Sequence, residues 1–77
     1  MIRIMVAGAA GRMGGRIIHM IHQNPETELA GAFEHPGHKS VGEDAGSVAG
    51  MGELGVRIYG SIDEAVNGAN VLIDFTQ

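Results

Sequence analysis

The chain has 77 residues, about half the usual length of a single domain, so it forms at most one small domain or part of a larger one. Five Lys and Arg against nine Asp and Glu leave a net charge of −4, which excludes the basic face that nucleic acid or an anionic membrane requires. With no Cys, neither a disulfide framework nor a thiolate metal site can support a small core, and with 4% aromatic residues that core has to be aliphatic. Gly stands out: 13 residues, against a usual share of roughly 7%.

The longest uncharged apolar stretch, from Ile4 to Ala10, falls far short of the roughly 20 residues of a membrane span. Arg12 and an amphipathic segment follow it at once, where a signal peptide would carry a longer apolar region and a cleavage site. The expectation is a cytoplasmic chain.

Ile2 to Ala7 is β-branched and apolar, the pattern of a strand buried on both faces in a parallel sheet. A Gly-rich turn follows, and then a helical pattern runs to Gln23. Met13, Gly14, Ile17, Ile18, Met20 and Ile21 fall on one side of that helix, with Gly15, Arg16, His19, His22 and Gln23 on the other. Asn24-Pro25 ends it, because Pro disfavours helix in its predecessor. A second strand is expected over 28–34, weakened by Gly31. The stretch 35–54 reads as a long Gly-rich loop with one helical turn near 43–49, and 56–59 as a third strand. Ser61 with Glu64 three residues on predicts a reciprocally capped helix, Gly68 its stop, and 71–75 a fourth apolar strand. Strands alternating with helices imply an α/β fold: a Rossmann-type parallel sheet, half of a doubly wound structure.

Gly8, Gly11 and Gly14 form a G-x-x-G-x-x-G run between the first strand and first helix. A diphosphate needs backbone N–H groups and the positive end of a helix, with no side chain in the way. Gly8 would permit the tight turn, Gly11 admit the phosphate, and Gly14 let the helix lie close on the sheet. Glu34 ends the next strand 20 residues after Gly14, where this fingerprint puts an acid for the adenosine ribose hydroxyls. The plain alternatives are a Gly-rich connector and a solvated acid. No Gly-Lys-Ser/Thr follows, so a P-loop is excluded.

A 2′-phosphate beside Glu34 would meet like charge, and an imidazole such as that of His35 is mostly neutral at pH 7. NADH is therefore expected to bind at least as well as NADPH, unless Arg12 or Lys39 reaches the phosphate. His19 with His22, and His35 with His38, are spaced like ligand pairs, but zinc wants three or four converging groups and no metal site is expected. Asp74 is expected in a buried strand, its carboxylate held by loop amides. Phe75 and Thr76 follow at the carboxyl edge, where open α/β sheets bind ligands.

Taken together, Val6 to Gly14, Phe33-Glu34, Asp44-Ala45-Gly46 and Ile73-Asp74-Phe75-Thr76 resemble the amino-terminal part of the dihydrodipicolinate reductase family. The resemblance spans nearly the whole chain. It implies a nicotinamide-dependent reductase of the diaminopimelate route to lysine, a cytoplasmic homotetramer accepting NADH and NADPH. It further implies that Gly8, Ala9, Ala10, Gly11, Arg12 and Met13 cradle the pyrophosphate. Glu34, with His35 beside it, would hold the ribose, and Phe75 and Thr76 would approach the nicotinamide. The family's catalytic groups, which bind a dicarboxylate substrate and supply a proton, belong to a later domain. Residues 1–77 are thus expected to be a cofactor domain that is inactive alone. The alternatives are another G-x-x-G-x-x-G reductase or epimerase, and a stand-alone nucleotide-sensing module.

Overall fold

The computed structural model describes residues 1–66 and 68–74. Strand β1 (Ile2–Ala7) is buried from Ile4 onward, as its unbroken apolar run requires. It lies between β2 (Thr27–Phe33) and β4 (Val71–Asp74), and β3 (Ile58–Tyr59) continues the sheet beyond β2. The order is β3-β2-β1-β4 and every pairing is parallel, so each connection crosses over the sheet. Opposite Ile4 and Met5 the register slips from Leu29 to Gly31, giving β2 one extra residue at Ala30.

Helix α1 (Arg12–Gln23) packs on one face of the sheet. Ile18 and Ile21 of α1 meet Ile4, Val6, Ala32 and Ile58 in one aliphatic cluster. Val6, Ile18 and Ile58 are wholly buried, worth about 1.5–3 kcal/mol each relative to exposure. The helix ends at Asn24, as Pro25 dictates; the Thr27 hydroxyl donates to the Ile21 carbonyl at 2.8 Å and so ties the helix end to β2.

The apolar face of α1 is only half covered. Gly14, Ile18 and Ile21 are buried, but Met13 is 50% and Met20 63% exposed, contrary to the sequence expectation. On the other flank Gly15 and His19 reach Ala49, just past the short helix α2 (Ala45–Val48). Ile17 is half-buried against the core, and Met13 and Met20 lie on the flank left exposed.

Helix α3 (Ile62–Ala65) packs against β2 and β3. Gly31, read from sequence as a weak point of its strand, is required there: a Cβ would lie 1.9 Å from the Ala65 carbonyl oxygen. Ser61 caps α3 by accepting from the Glu64 amide at 3.4 Å. The expected reciprocal bond differs, since the Ser61 hydroxyl itself donates to the Glu64 carboxylate at 3.1 Å.

Two strand expectations need correction. The third strand does not begin at Val56. Residues 56–58 are drawn instead toward 42–45: Ala45 donates to the Val56 carbonyl, Ile58 to that of Glu43, and Gly42 to that of Ile58. Only Ile58 and Tyr59 remain to pair with β2. Strand β4 is exposed at Val71, Leu72 and Asp74 rather than buried, because nothing described lies on its outer side. The part of that expected strand at Phe75 lies outside the described residues.

Candidate functional site

The three motif glycines do three different things. Gly8 has φ +76, a left-handed conformation that other residues adopt at a cost, and it turns the chain out of β1. At Gly14 a Cβ would sit 2.3 Å from the Gly8 carbonyl oxygen and 2.9 Å from the Ala9 Cα, so only Gly lets α1 approach the turn this closely. Gly11 meets neither need. Its φ of −79 suits any residue, and a Cβ would meet the Gly8 oxygen at an ordinary 3.5 Å. Packing and backbone geometry therefore do not demand glycine at the mouth of the helix, where a Cβ would only fill open space.

The amides of the turn are divided in the same way. Gly8 and Ala9 both donate to the Phe33 carbonyl, at 3.0 and 3.3 Å, and Gly11 donates to that of Gly8 at 3.2 Å. Ala10 donates to Oε2 of Glu34 at 2.8 Å. Beyond them α1 has no side-chain cap, and Gly15 is the first amide with an acceptor in the preceding turn. The N–H groups of Arg12, Met13 and Gly14 have no acceptor among the described residues, which leaves the positive end of a 12-residue helix open. An anion seated here would meet the amides of Arg12 and Met13. Those of Gly8 to Gly11 already shape the turn.

Glu34 is the first residue past β2, and its amide donates to the Tyr59 carbonyl at 2.9 Å. It is only 8% exposed, and its Oε2 is bound to the motif turn. Oε1 accepts nothing from the described residues, so one carboxylate oxygen remains for a hydroxyl donor beside the helix mouth. The sequence put this acid near the ribose; its backbone anchor at Ala10 could not be read from spacing.

Arg12 and Met13 are exposed at the start of α1. An open groove of about 540 Å³ begins at this turn and runs along α1, lined by Gly11, Arg12, Gly15, Arg16, His19 and Ala49 among others. His19 does not point freely into solvent, since its Nε2 lies 3.0 Å from the Ala49 carbonyl. His35 is exposed and its ring meets that of His38 edge-on, with centroids 5.4 Å apart. Among the described residues no three His, Asp or Glu side chains converge on a common point. Phe75 and Thr76 lie outside the described residues.

Asp44 organises the far wall of the groove, and the sequence reading gave it no role. Oδ2 accepts from the amides of Ser47 and Leu54, at 3.0 and 2.9 Å, and Oδ1 from Gly55 and Val56, at 2.8 and 3.0 Å. Burial favours the protonated form, but these four amides outweigh it and hold the carboxyl below its ordinary range. An Asp three residues ahead of Ser47, opening a short helix, was the available signal.

Open α/β sheets of this kind bind their ligands outside the carboxyl edge of the strands, where the open helix mouth and the acid after the second strand both lie. Residues 2–77 match the family model described as dihydrodipicolinate reductase, N-terminus. The chain belongs to that family. Its curated relatives are 4-hydroxy-tetrahydrodipicolinate reductases, including those of Geotalea daltonii at 55% identity and Geobacter sulfurreducens at 53%, each over 76 residues. The protein of Citrifermentans bemidjiense is 51% identical over the same length. Each match covers 99% of this chain and 28% of the relative, so the chain spans little more than a quarter of the length of these proteins. The family sets aside the reading as another type of reductase or epimerase.

Proposed function

We propose that this chain holds the pyridine nucleotide of a reductase that passes hydride to 4-hydroxy-tetrahydrodipicolinate, in the diaminopimelate route to lysine. The observation that carries it is the Glu34 carboxylate fixed by the Ala10 amide, beside a helix mouth that Gly11 leaves open. The pyrophosphate takes the amides of Arg12 and Met13, with the Arg12 guanidinium at the same end. The unused oxygen of Glu34 accepts from the ribose hydroxyls, and His35 flanks it. Gly8, Ala9 and Ala10 contribute the shape of the cradle. Phe75 and Thr76 approach the nicotinamide.

The bound nicotinamide supplies the hydride, and the residues of this chain bind and orient it. Recognition of the dicarboxylate and delivery of the proton belong to a further domain, and residues 1–77 are inactive alone. NADH binds at least as well as NADPH, and the working enzyme is a cytoplasmic homotetramer.

The test is a fluorescence titration of NADH and NADPH into the protein and into its Glu34→Ala and Glu34→Gln variants. Loss of charged acceptors for the ribose hydroxyls should weaken NADH about tenfold and relax discrimination against NADPH. Glu34→Gln keeps an acceptor for the Ala10 amide and separates ribose binding from collapse of the turn. Failure of both nucleotides to bind, or unchanged binding by both variants, would rule the reading out.

A further inference from the structure

We propose that Arg16, one turn into α1, is a binding residue for the nucleotide's pyrophosphate, held at that position against the preference of its own helix. The inference rests on the nucleotide reading above and adds one residue to that same site.

Charge placement is the first argument. Arg12 and Arg16 are two of the five Lys and Arg in a chain of net charge −4, and α1 has no acid in its first turn. A helix start favours Asp and Glu over cations, and like charges four residues apart repel. Arg3 is paired with Glu28, but the side chains of Arg12 and Arg16 have no ion pair or hydrogen bond with the described residues. The described fold thus draws no stabilisation from these two charges. An anion at the helix mouth would.

Reach is the second. Arg16 follows Arg12 by about 6 Å along the helix axis. Helical side chains lean toward the N-terminus, which carries the Arg16 guanidinium back toward the open amides of Arg12 and Met13. Both arginines line the groove of about 540 Å³ that opens at Gly11. Ala10 lines it as well, and the Ala10 amide holds Glu34, the buried acid with one oxygen left for a hydroxyl donor.

Gly15 supplies the third. It lies within α1, where only Pro is a poorer helix former than Gly. A Cβ at this position would meet only Ala49, at an ordinary 3.8 Å, so packing does not require its absence. Gly15 lines the same groove, and its missing side chain keeps the way open past Arg12 and Arg16. Two neighbouring residues of α1 thus depart from what a helix prefers, and both departures serve the groove.

The measurement is NADH titration at low and high ionic strength, about 0.02 M and about 0.5 M, paired with urea unfolding. Gln matches Arg closely in helix propensity, so Arg16→Gln removes the charge and little else. It should weaken NADH about fivefold at low salt, the upper range of an exposed charge pair, and about twofold or less at high salt. Its urea midpoint should equal or exceed that of the wild type, because a cation has left the helix start. Arg16→Lys should recover most of the affinity. Arg57→Gln, which removes the same charge outside the groove, should bind NADH like the wild type. Wild-type affinity in Arg16→Gln, a deficit that salt does not reduce, or a lowered urea midpoint would overturn the proposal. So would an equal deficit in Arg57→Gln, or an Arg16→Lys protein no better than Arg16→Gln. A wild-type protein that binds no NADH would instead overturn the nucleotide reading itself.

Discussion

Alanine placed separately at Gly11 and Gly14 distinguishes a glycine kept for packing from one kept for a ligand. At position 14 the new Cβ would be 2.3 Å from the Gly8 oxygen and 3.0 Å from the Ala9 carbonyl carbon, all of it backbone. Relief requires α1 to back away from the turn by about 1 Å, an overpacking cost of about 1–3 kcal/mol. Higher helix propensity returns up to about 1 kcal/mol, for a net loss of about 1–2 kcal/mol. At position 11 the Cβ meets one atom at 3.5 Å, and exchanging Gly for Ala at an N-cap costs at most about 1 kcal/mol. Its methyl group, however, occupies the helix mouth. NADH affinity should fall about tenfold or more, about 1.4 kcal/mol, with the fold intact. Urea unfolding gives the first number for each variant and nucleotide titration the second. A Gly11→Ala protein that binds NADH like wild type would refute the phosphate assignment, and a fully stable Gly14→Ala protein would refute the close approach.

Asp44→Ala should cost about 2 kcal/mol by unpairing four amides, read by chemical denaturation. Because the folded carboxyl is held below its ordinary value, its contribution is present above about pH 3.9 and lost as the pH falls through the folded value. Acid titration followed by circular dichroism should therefore show a shallower decline for Asp44→Asn than for wild type; parallel curves would contradict the assignment. Gly31→Ala should destabilise by about 2 kcal/mol or more by pushing α3 off β2, and an unchanged melting temperature would disprove that contact. The 77-residue chain should self-associate through Met13, Met20, Val71 and Leu72, and Met20→Lys with Leu72→Lys should reduce this in analytical ultracentrifugation. A sharp two-state melt of a wild-type monomer would defeat the expectation.

Much of the fold was legible because local patterns and the final packing agree. The apolar run of β1 has to be buried on both faces, Asn24-Pro25 has to end α1, and Ser61 is a cap wherever it sits ahead of a helix. The order of elements then left few topologies. What the sequence concealed depends on partners far along the chain. Asp44 takes amides 10 to 12 residues away, and that strap shortens β3 to two residues. Periodicity marks Met13 and Met20 as apolar-facing but does not say which flank of α1 finds a neighbour. At the site, the glycine spacing and the acid after β2 were visible. That the amides of Gly8 to Gly11 are spent on the protein itself was not, because hydrogen-bond assignment within a turn depends on where Phe33 and Glu34 arrive.

If the helix mouth holds the pyrophosphate and Glu34 the ribose, the bond from Ala10 to Glu34 joins the two parts of the molecule that recognise different pieces of one ligand. A change that displaces the first βα turn would also drag Glu34, and replacing Glu34 removes a strut from the turn. Nucleotide choice would then not be a property of one side chain that can be exchanged in isolation. A variant seeking a new preference at position 34 has to bring its own means of keeping the turn in shape.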